Sequence, residues 1–242
     1  MSKYTLIIDT SIFGAGVALF GDDSGSIEFL QVSSDVADSA RELPLMVEDG
    51  LRKLGTDQRA ITQVLVSQGP GSFTGIRVGM AYAFGFVAGR KLSGESGPRI
   101  AGVSSLGYLA KALAREIGGQ ILVLLPATKA TGYVAIAGID DFKVSALDCL
   151  GEDASQFFTQ FSQLPWVTLG DWSIVADQGH LYGVANMRSI PGRDAVTLGL
   201  KALGEAIKNN DDLLWSDFES GEVPDPIYLR KSTVEEKALA SK

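Results

Sequence analysis

The chain has 242 residues, 45% hydrophobic and 21% charged, a balance that suits one large globular domain or two lobes of ordinary size. Its 21 Lys and Arg stand against 29 Asp and Glu, and the net charge of −8 excludes a general attraction to phosphate backbones. Cys149 is the only cysteine and His180 the only histidine, which excludes an internal disulfide, a multi-cysteine zinc site and a two-histidine metal site, and leads us to expect a reducing, cytoplasmic setting.

Taken in chain order, the run Tyr4 to Ile8 meets Asp9 before it could form a signal-peptide stretch, so no secretion is expected. Tyr4–Asp9 and Gly16–Phe20 read as strands separated by Gly14, and Ser26–Val32 as a third after a Gly-Asp-Asp-Ser-Gly turn, an antiparallel meander. From about Ala37 to Leu54 the apolar spacing of Leu43, Met46, Val47 and Leu51 predicts a helix stopped by Gly55. Ile61–Val66 returns as a strand. A glycine-rich turn then leads into an apolar helix ending near Arg90, followed by a strand at Arg99–Val103 and a helix at Ser104–Ile117.

The second half repeats this order, with strands at Ile121–Leu125, Gly132–Gly138 and Lys143–Leu150, a helix at Asp153–Phe161, a strand at Trp166–Leu169 and a last helix at about Asp194–Ile207. Three strands, helix, strand, helix occurring twice predicts two α/β lobes of like topology, 1–118 and 119–242, the second smaller or divergent. By analogy this is the two-lobed actin-like arrangement, also called ASKHA or ribonuclease H-like. No apolar run reaches the roughly 18–20 residues of a membrane span, and the nearest, Ile76–Ala88, is expected to be a buried helix.

Two segments carry candidate chemistry. Asp9-Thr10-Ser11 ends the first strand, where an acid could orient a metal-bound phosphate or the residues could simply close an Asx or Ser/Thr turn. The turn Gly69-Pro70-Gly71-Ser72-Phe73-Thr74-Gly75 fails both phosphate-loop fingerprints: it lacks the P-loop lysine, and Gly71 and Gly75 are four apart where the Rossmann pattern needs three. What remains is a loop in which Ser72 or Thr74 caps a helix starting near Gly75, receiving either an anion or a neighbouring backbone. Asp9, Thr10, Ser11, Gly71, Ser72 and Thr74 are thus the candidate, vestigial nucleotide-like site.

The helix that follows has Arg77 as its only charged side chain between Ile76 and Gly89, with apolar residues all round, so both of its sides need cover. Gly75, Gly79 and Ala83 recur at four-residue spacing and are expected to form the smooth stripe on which another helix packs. Catalytic candidates are few. Gly102-Val103-Ser104-Ser105-Leu106-Gly107 resembles a nucleophile elbow only loosely, because its second glycine comes one residue late. The pairs Asp22-Asp23, Asp140-Asp141 and Asp211-Asp212 adjoin turn residues and read as solvated loop charge. No catalytic residue and no metal ligand set is assigned.

The glycine turn from Ser67 to Gly79, with Leu6-Ile7-Ile8-Asp9-Thr10-Ser11 before it, Arg41-Glu42-Leu43-Pro44, Ile100 to Leu106 and Pro226-Ile227-Tyr228-Leu229-Arg230, resembles the bacterial TsaB family, also called YeaZ. The resemblance is dense over residues 4 to 110 and sparse beyond. It implies a non-catalytic scaffold that pairs with a TsaD-like catalytic subunit, helped by a TsaE-like ATPase, for threonylcarbamoyl transfer to the adenosine next to the anticodon of tRNA. It also implies that tRNA is met only through the complex, that the same surface closes a homodimer in isolation, and that Arg41, Leu45, Gly75, Gly79, Tyr82, Ala83 and Phe86 bind the partner. No tightly bound cofactor is expected, with ATP or ADP at the partner interface left open. The chain departs from the family pattern at Asp38-Ser39 and at Pro126-Ala127-Thr128. The alternative reading is an actin-like small-substrate kinase or ATPase using Asp9 and the glycine turn.

Overall fold

The computed structural model describes residues 2–33, 38–94, 97–127, 131–148, 154–170, 187–211 and 224–227. Cys149, Thr128, His180 and the run Tyr228-Leu229-Arg230 lie outside these. The chain opens with β1 (Tyr4–Asp9), β2 (Gly16–Gly21) and β3 (Ser26–Val32), each antiparallel to the one before, with Tyr4 opposite Gly21 and Asp9 opposite Gly16. Then come α1 (Ser39–Lys53), β4 (Ile61–Ser67), α2 (Phe73–Leu92), β5 (Arg99–Val103) and α3 (Ser105–Ile117). Strands β4 and β5 run parallel to β1, giving a sheet of order β3-β2-β1-β4-β5.

The second half contributes β6 (Ile121–Pro126), β7 (Thr131–Ala137), β8 (Phe142–Asp148), α4 (Ala154–Gln160), β9 (Trp166–Leu169), β10 (Met187–Ile190) and α5 (Gly192–Lys208). Its sheet, β8-β7-β6-β9-β10, has the same strand order and sense as the first. This is the two-lobed α/β, actin-like arrangement expected from the element order. One strand was not expected. β10 has Met187, Arg188 and Ser189 exposed and only Ile190 buried, so it lacks the apolar alternation that marks a half-buried strand.

The central strands are apolar on both faces because both faces are covered. Ile7 of β1 points into a core shared by α3, α5 and both sheets, whereas Leu6 and Ile8 point the other way, under α1 and α2. The helices between the sheets are exchanged: α3, which follows the last strand of the first sheet, packs on β6, β7 and β8, and α5 packs on β1, β2 and β3. A third cluster, Leu122, Leu124, Val134, Phe158 and Trp166, lies under α4. The exchange places α5 over the carboxyl end of β1, and this decides the fate of Asp9.

Candidate functional site

Asp9 ends β1 and is 1% exposed. Its Oδ1 accepts hydrogen bonds from the Ser11 backbone N–H at 2.8 Å and the Ser11 hydroxyl at 2.7 Å, and the Ser67 hydroxyl donates in turn to Ser11 Oγ at 2.7 Å. Among the described residues, Oδ2 is buried with no hydrogen-bond partner, and so is Ser105 Oγ at the start of α3. Burial pushes the Asp9 carboxyl above the usual carboxylate range, and the Ser11, Ser105 and Ser67 dipoles offset this only in part. Over it lies Gly199 of α5, where an added Cβ would sit 3.7 Å from Oδ2.

The glycine turn presses on the same strand end. Ser72 N–H donates to Ser11 O at 2.7 Å and Thr10 Oγ1 donates to Gly75 O at 2.6 Å. A Cβ at Gly71 would strike Ser11 O, one at Gly75 would strike Thr10 O, and one at Gly79 would strike Thr10 Oγ1. Asp9, Thr10, Ser11, Gly71 and Ser72 are therefore brought together as the residues predicted, whereas Thr74 is exposed and stands apart. Of the two expected occupants of the turn, the chain's own backbone takes the place. At Gly71, Ser72 and Gly75 it is the Thr10–Ser11 stretch that meets the turn. No cluster of three or more His, Cys, Asp or Glu suited to a metal occurs among the described residues.

Helix α2 starts at Phe73, two residues before the expected Gly75, because Ser72 is its N-cap and accepts from Gly75 N–H at 3.1 Å. The helix is apolar all round, and its two sides have different fates. Gly75, Gly79 and Ala83 face inward, with Ala83 fully buried, so this stripe seats α2 on the chain's own β1. The close approach that Gly75 and Gly79 permit is used within the chain, against Thr10. The outward stripe is Arg77, Ala81, Gly85 and Gly89, all exposed, and a Cβ at Gly85 or Gly89 would meet nothing within 4 Å. Arg77, the one charge between Ile76 and Gly89, stacks its guanidinium 5.3 Å from the ring of the exposed Phe73.

Beside this stripe α1 packs against α2, and a groove of 540 Å³ opens between them, lined by Pro44, Val47, Leu51, Tyr82 and Phe86 among others. The rings of Tyr82 and Phe86 lie 6.3 Å apart, and burial pushes the Tyr82 hydroxyl up to about 12. Leu45 is 57% exposed and Arg41 is exposed. Four of the seven expected contact residues, Arg41, Leu45, Tyr82 and Phe86, thus belong to the outer α1–α2 surface. Ala81, Gly85 and Gly89 were not singled out from the sequence, although a signal existed: Arg77 must reach water, and these residues follow it at four-residue steps along the helix.

The family model described as TsaD: tRNA N6-adenosine threonylcarbamoyltransferase matches residues 36–203. The chain belongs to this family and, within it, to TsaB/YeaZ. The tRNA threonylcarbamoyladenosine biosynthesis protein TsaB of Escherichia coli K12 is 34% identical over 131 residues, 54% of this chain and 53% of that protein. The protein of the same description from Bacillus subtilis 168 is 28% identical over 167 residues, 69% of this chain and 63% of the relative. The chain thus spans less than two thirds of the length of these curated relatives. In fold it is similar to YeaZ from Pseudomonas aeruginosa, with a TM-score of 0.62 at 20% identity over 94% of this chain and all of that one. A second crystal structure, of an uncharacterized protein with similarity to peptidase YEAZ from Pseudomonas aeruginosa, gives 0.64 at 19% identity with the same coverage.

Proposed function

We propose that this chain is a cytoplasmic scaffold subunit in tRNA threonylcarbamoyladenosine biosynthesis, pairing through the outer face of α1 and α2 with a TsaD-like catalytic subunit that works with a TsaE-like ATPase. The observation that carries this reading is the exposed Ala81-Gly85-Gly89 stripe, bordered by the Arg77–Phe73 stack on a helix with no polar face. Small residues let a second helix backbone approach closely, and aromatic and arginine side chains anchor such contacts. The sealed Asp9 favours a role without chemistry of its own, and the net charge of −8 favours meeting tRNA through the complex. The names of the two bacterial relatives supply the pathway.

In this reading residues 1–118 form the lobe that carries the docking helices and 119–242 the lobe that buttresses it. The same surface closes a homodimer when the partner is absent. Co-expression with the TsaD of the same organism tests the proposal: a stable heterodimer is expected, and loss of pairing in Gly85→Trp with an unchanged thermal melt. Failure to pair, together with intact tRNA modification after deletion of the gene, would sink it. Calorimetry with Mg-ATP separates the kinase alternative, which needs micromolar binding that Asp9→Asn abolishes.

A further inference from the structure

The four-residue segment Pro224–Ile227 lies against the end of β4 and the start of the glycine turn, far from the α1–α2 surface in sequence and independent of it in argument. Gln68 holds it at two points: Ile227 N–H donates to Gln68 O at 2.7 Å, and Gln68 Nε2 donates to Asp225 O at 2.5 Å. Gln68 is itself anchored to the sheet, its own N–H donating to Val103 O at 2.8 Å. Pro224 rests on Gly102 of β5, where an added Cβ would come within 2.5 Å of the Pro224 Cβ and would also strike the Gln68 side chain. Gly69, at φ +99°, closes the far end beside Ile227 O.

This pattern has the character of peptide recognition. Both hydrogen bonds read main-chain atoms of residues two apart, as an added strand does, and the only side-chain seat is a bare glycine that accepts a proline ring. Proline at 224 and 226 biases Val223 and Asp225 toward extended backbone, so the segment arrives already shaped and loses little entropy on docking. The position between the two bonded residues is Pro226, which has no N–H to leave unsatisfied. Yet the seat is shallow: Asp225 is exposed and Pro224, Pro226 and Ile227 are only half-buried. Two hydrogen bonds of about 1 kcal/mol each hold it among the described residues.

We propose that Gln68, Gly69 and Gly102 form a docking groove for an extended Pro-x-Pro-Ile peptide, filled in cis by the chain's own residues 224–227 and exchangeable for the same segment of a second copy. The groove makes the C-terminal segment a reversible latch on the glycine turn. Tethering gives the resident segment an effective concentration in the millimolar range, so an added peptide competes poorly until the resident is weakened.

The test uses the full chain and a fluorescent synthetic peptide spanning residues 221–231, read by anisotropy. Ile227→Pro removes the resident segment's donor to Gln68 O and should let the wild-type peptide bind about fivefold tighter than it binds the unaltered chain. Adding Gly102→Val to that variant should abolish the gain, with circular dichroism melts reporting the fold. Equal affinity for the unaltered chain and Ile227→Pro, absence of binding to both, or binding that survives Gly102→Val in a folded chain overturns the proposal. Should Gly102→Val fail to fold, Gln68→Ala takes its place: it deletes the bond to Asp225 O and should weaken the peptide severalfold, and an unchanged affinity there overturns the proposal equally.

Discussion

Replacing Asp9 by Asn should stabilise the protein at neutral pH, against the usual result of altering a residue that opens a sequence motif. The carboxyl is 1% exposed, its Oδ2 has no partner, and burial raises its pKa. A carboxyl with a raised folded-state pKa binds its proton more tightly folded than unfolded. Its contribution is therefore fully present below the ordinary carboxylate pKa, is lost as pH climbs from there to the folded-state pKa, and is level above it. The slope in that window is about 1.4 kcal/mol per pH unit. Asn keeps the Oδ1 acceptor for Ser11, places an amide donor where Ser105 Oγ stands unpaired, and carries no charge to bury. The relief of one orphaned buried polar atom is worth about 1–3 kcal/mol, which is a rise in melting temperature of about 2–4 °C per kcal/mol for a chain of this size. Thermal melts of both proteins from pH 4 to pH 8 check it: the wild type should lose stability as pH rises and Asp9→Asn should show a flatter profile, crossing above it toward neutrality. A wild type without that slope, or an Asn variant less stable than wild type at pH 8, would refute the assignment of Asp9 as a buried acid held without a countercharge.

Two glycine substitutions on one helix should have opposite signs. Gly75→Ala drives a Cβ into Thr10 O and should cost about 1–3 kcal/mol in urea unfolding, whereas Gly85→Ala enters open space and should gain about 0.5–1 kcal/mol from helix propensity. In light scattering, Gly85→Trp should lower the association state of the isolated chain without changing its melt, while Gly79→Trp should unfold it, because Gly79 abuts Thr10. Lys111→Met should destabilise by about 1 kcal/mol and expose the end of α5 to faster hydrogen exchange, since Lys111 and Asp211 pair at 3.0 Å with both side chains 12% exposed and the carboxylate then keeps only Arg115, at 3.9 Å.

Much of the fold was legible because most strands of each sheet are runs of apolar residues with clear ends. Trp166–Leu169 and Ser26–Val32 were placed to the residue, and the repeated order of elements gave the two sheets. The short strand Met187–Ile190 was not legible, since an edge strand with three exposed residues carries no apolar pattern. Nor was the exchange of α3 and α5 between sheets. Each helix has a clear apolar stripe, but a stripe says only that a helix is covered and never by which sheet. The sealing of Asp9 follows from that exchange, because Gly199 of α5 supplies the lid from the far end of the chain. At the site, the glycines were legible in the sequence but the side each set faces was not. Gly75-Gly79-Ala83 and Ala81-Gly85-Gly89 have the same four-residue spacing, so spacing alone cannot choose between them.

Arg77 makes that choice, and with it the division of labour along α2. Between Ile76 and Gly89 the helix has no polar face and one charge, Arg77, so over that stretch it buries the side turned from that charge, and the inner glycines bring this side onto β1 closely enough for Thr10 to bond Gly75 O. Because the inner face uses its small residues on the strand end, the glycine turn meets the chain's own backbone, and because the outer face keeps a second set of small residues exposed, the proposed docking would need no rearrangement of the core. The two properties share one cause. Any substitution that opened the turn by lifting α2 off β1 would also tilt the outer stripe, so a variant that regained a phosphate-sized cleft should lose partner binding at the same time.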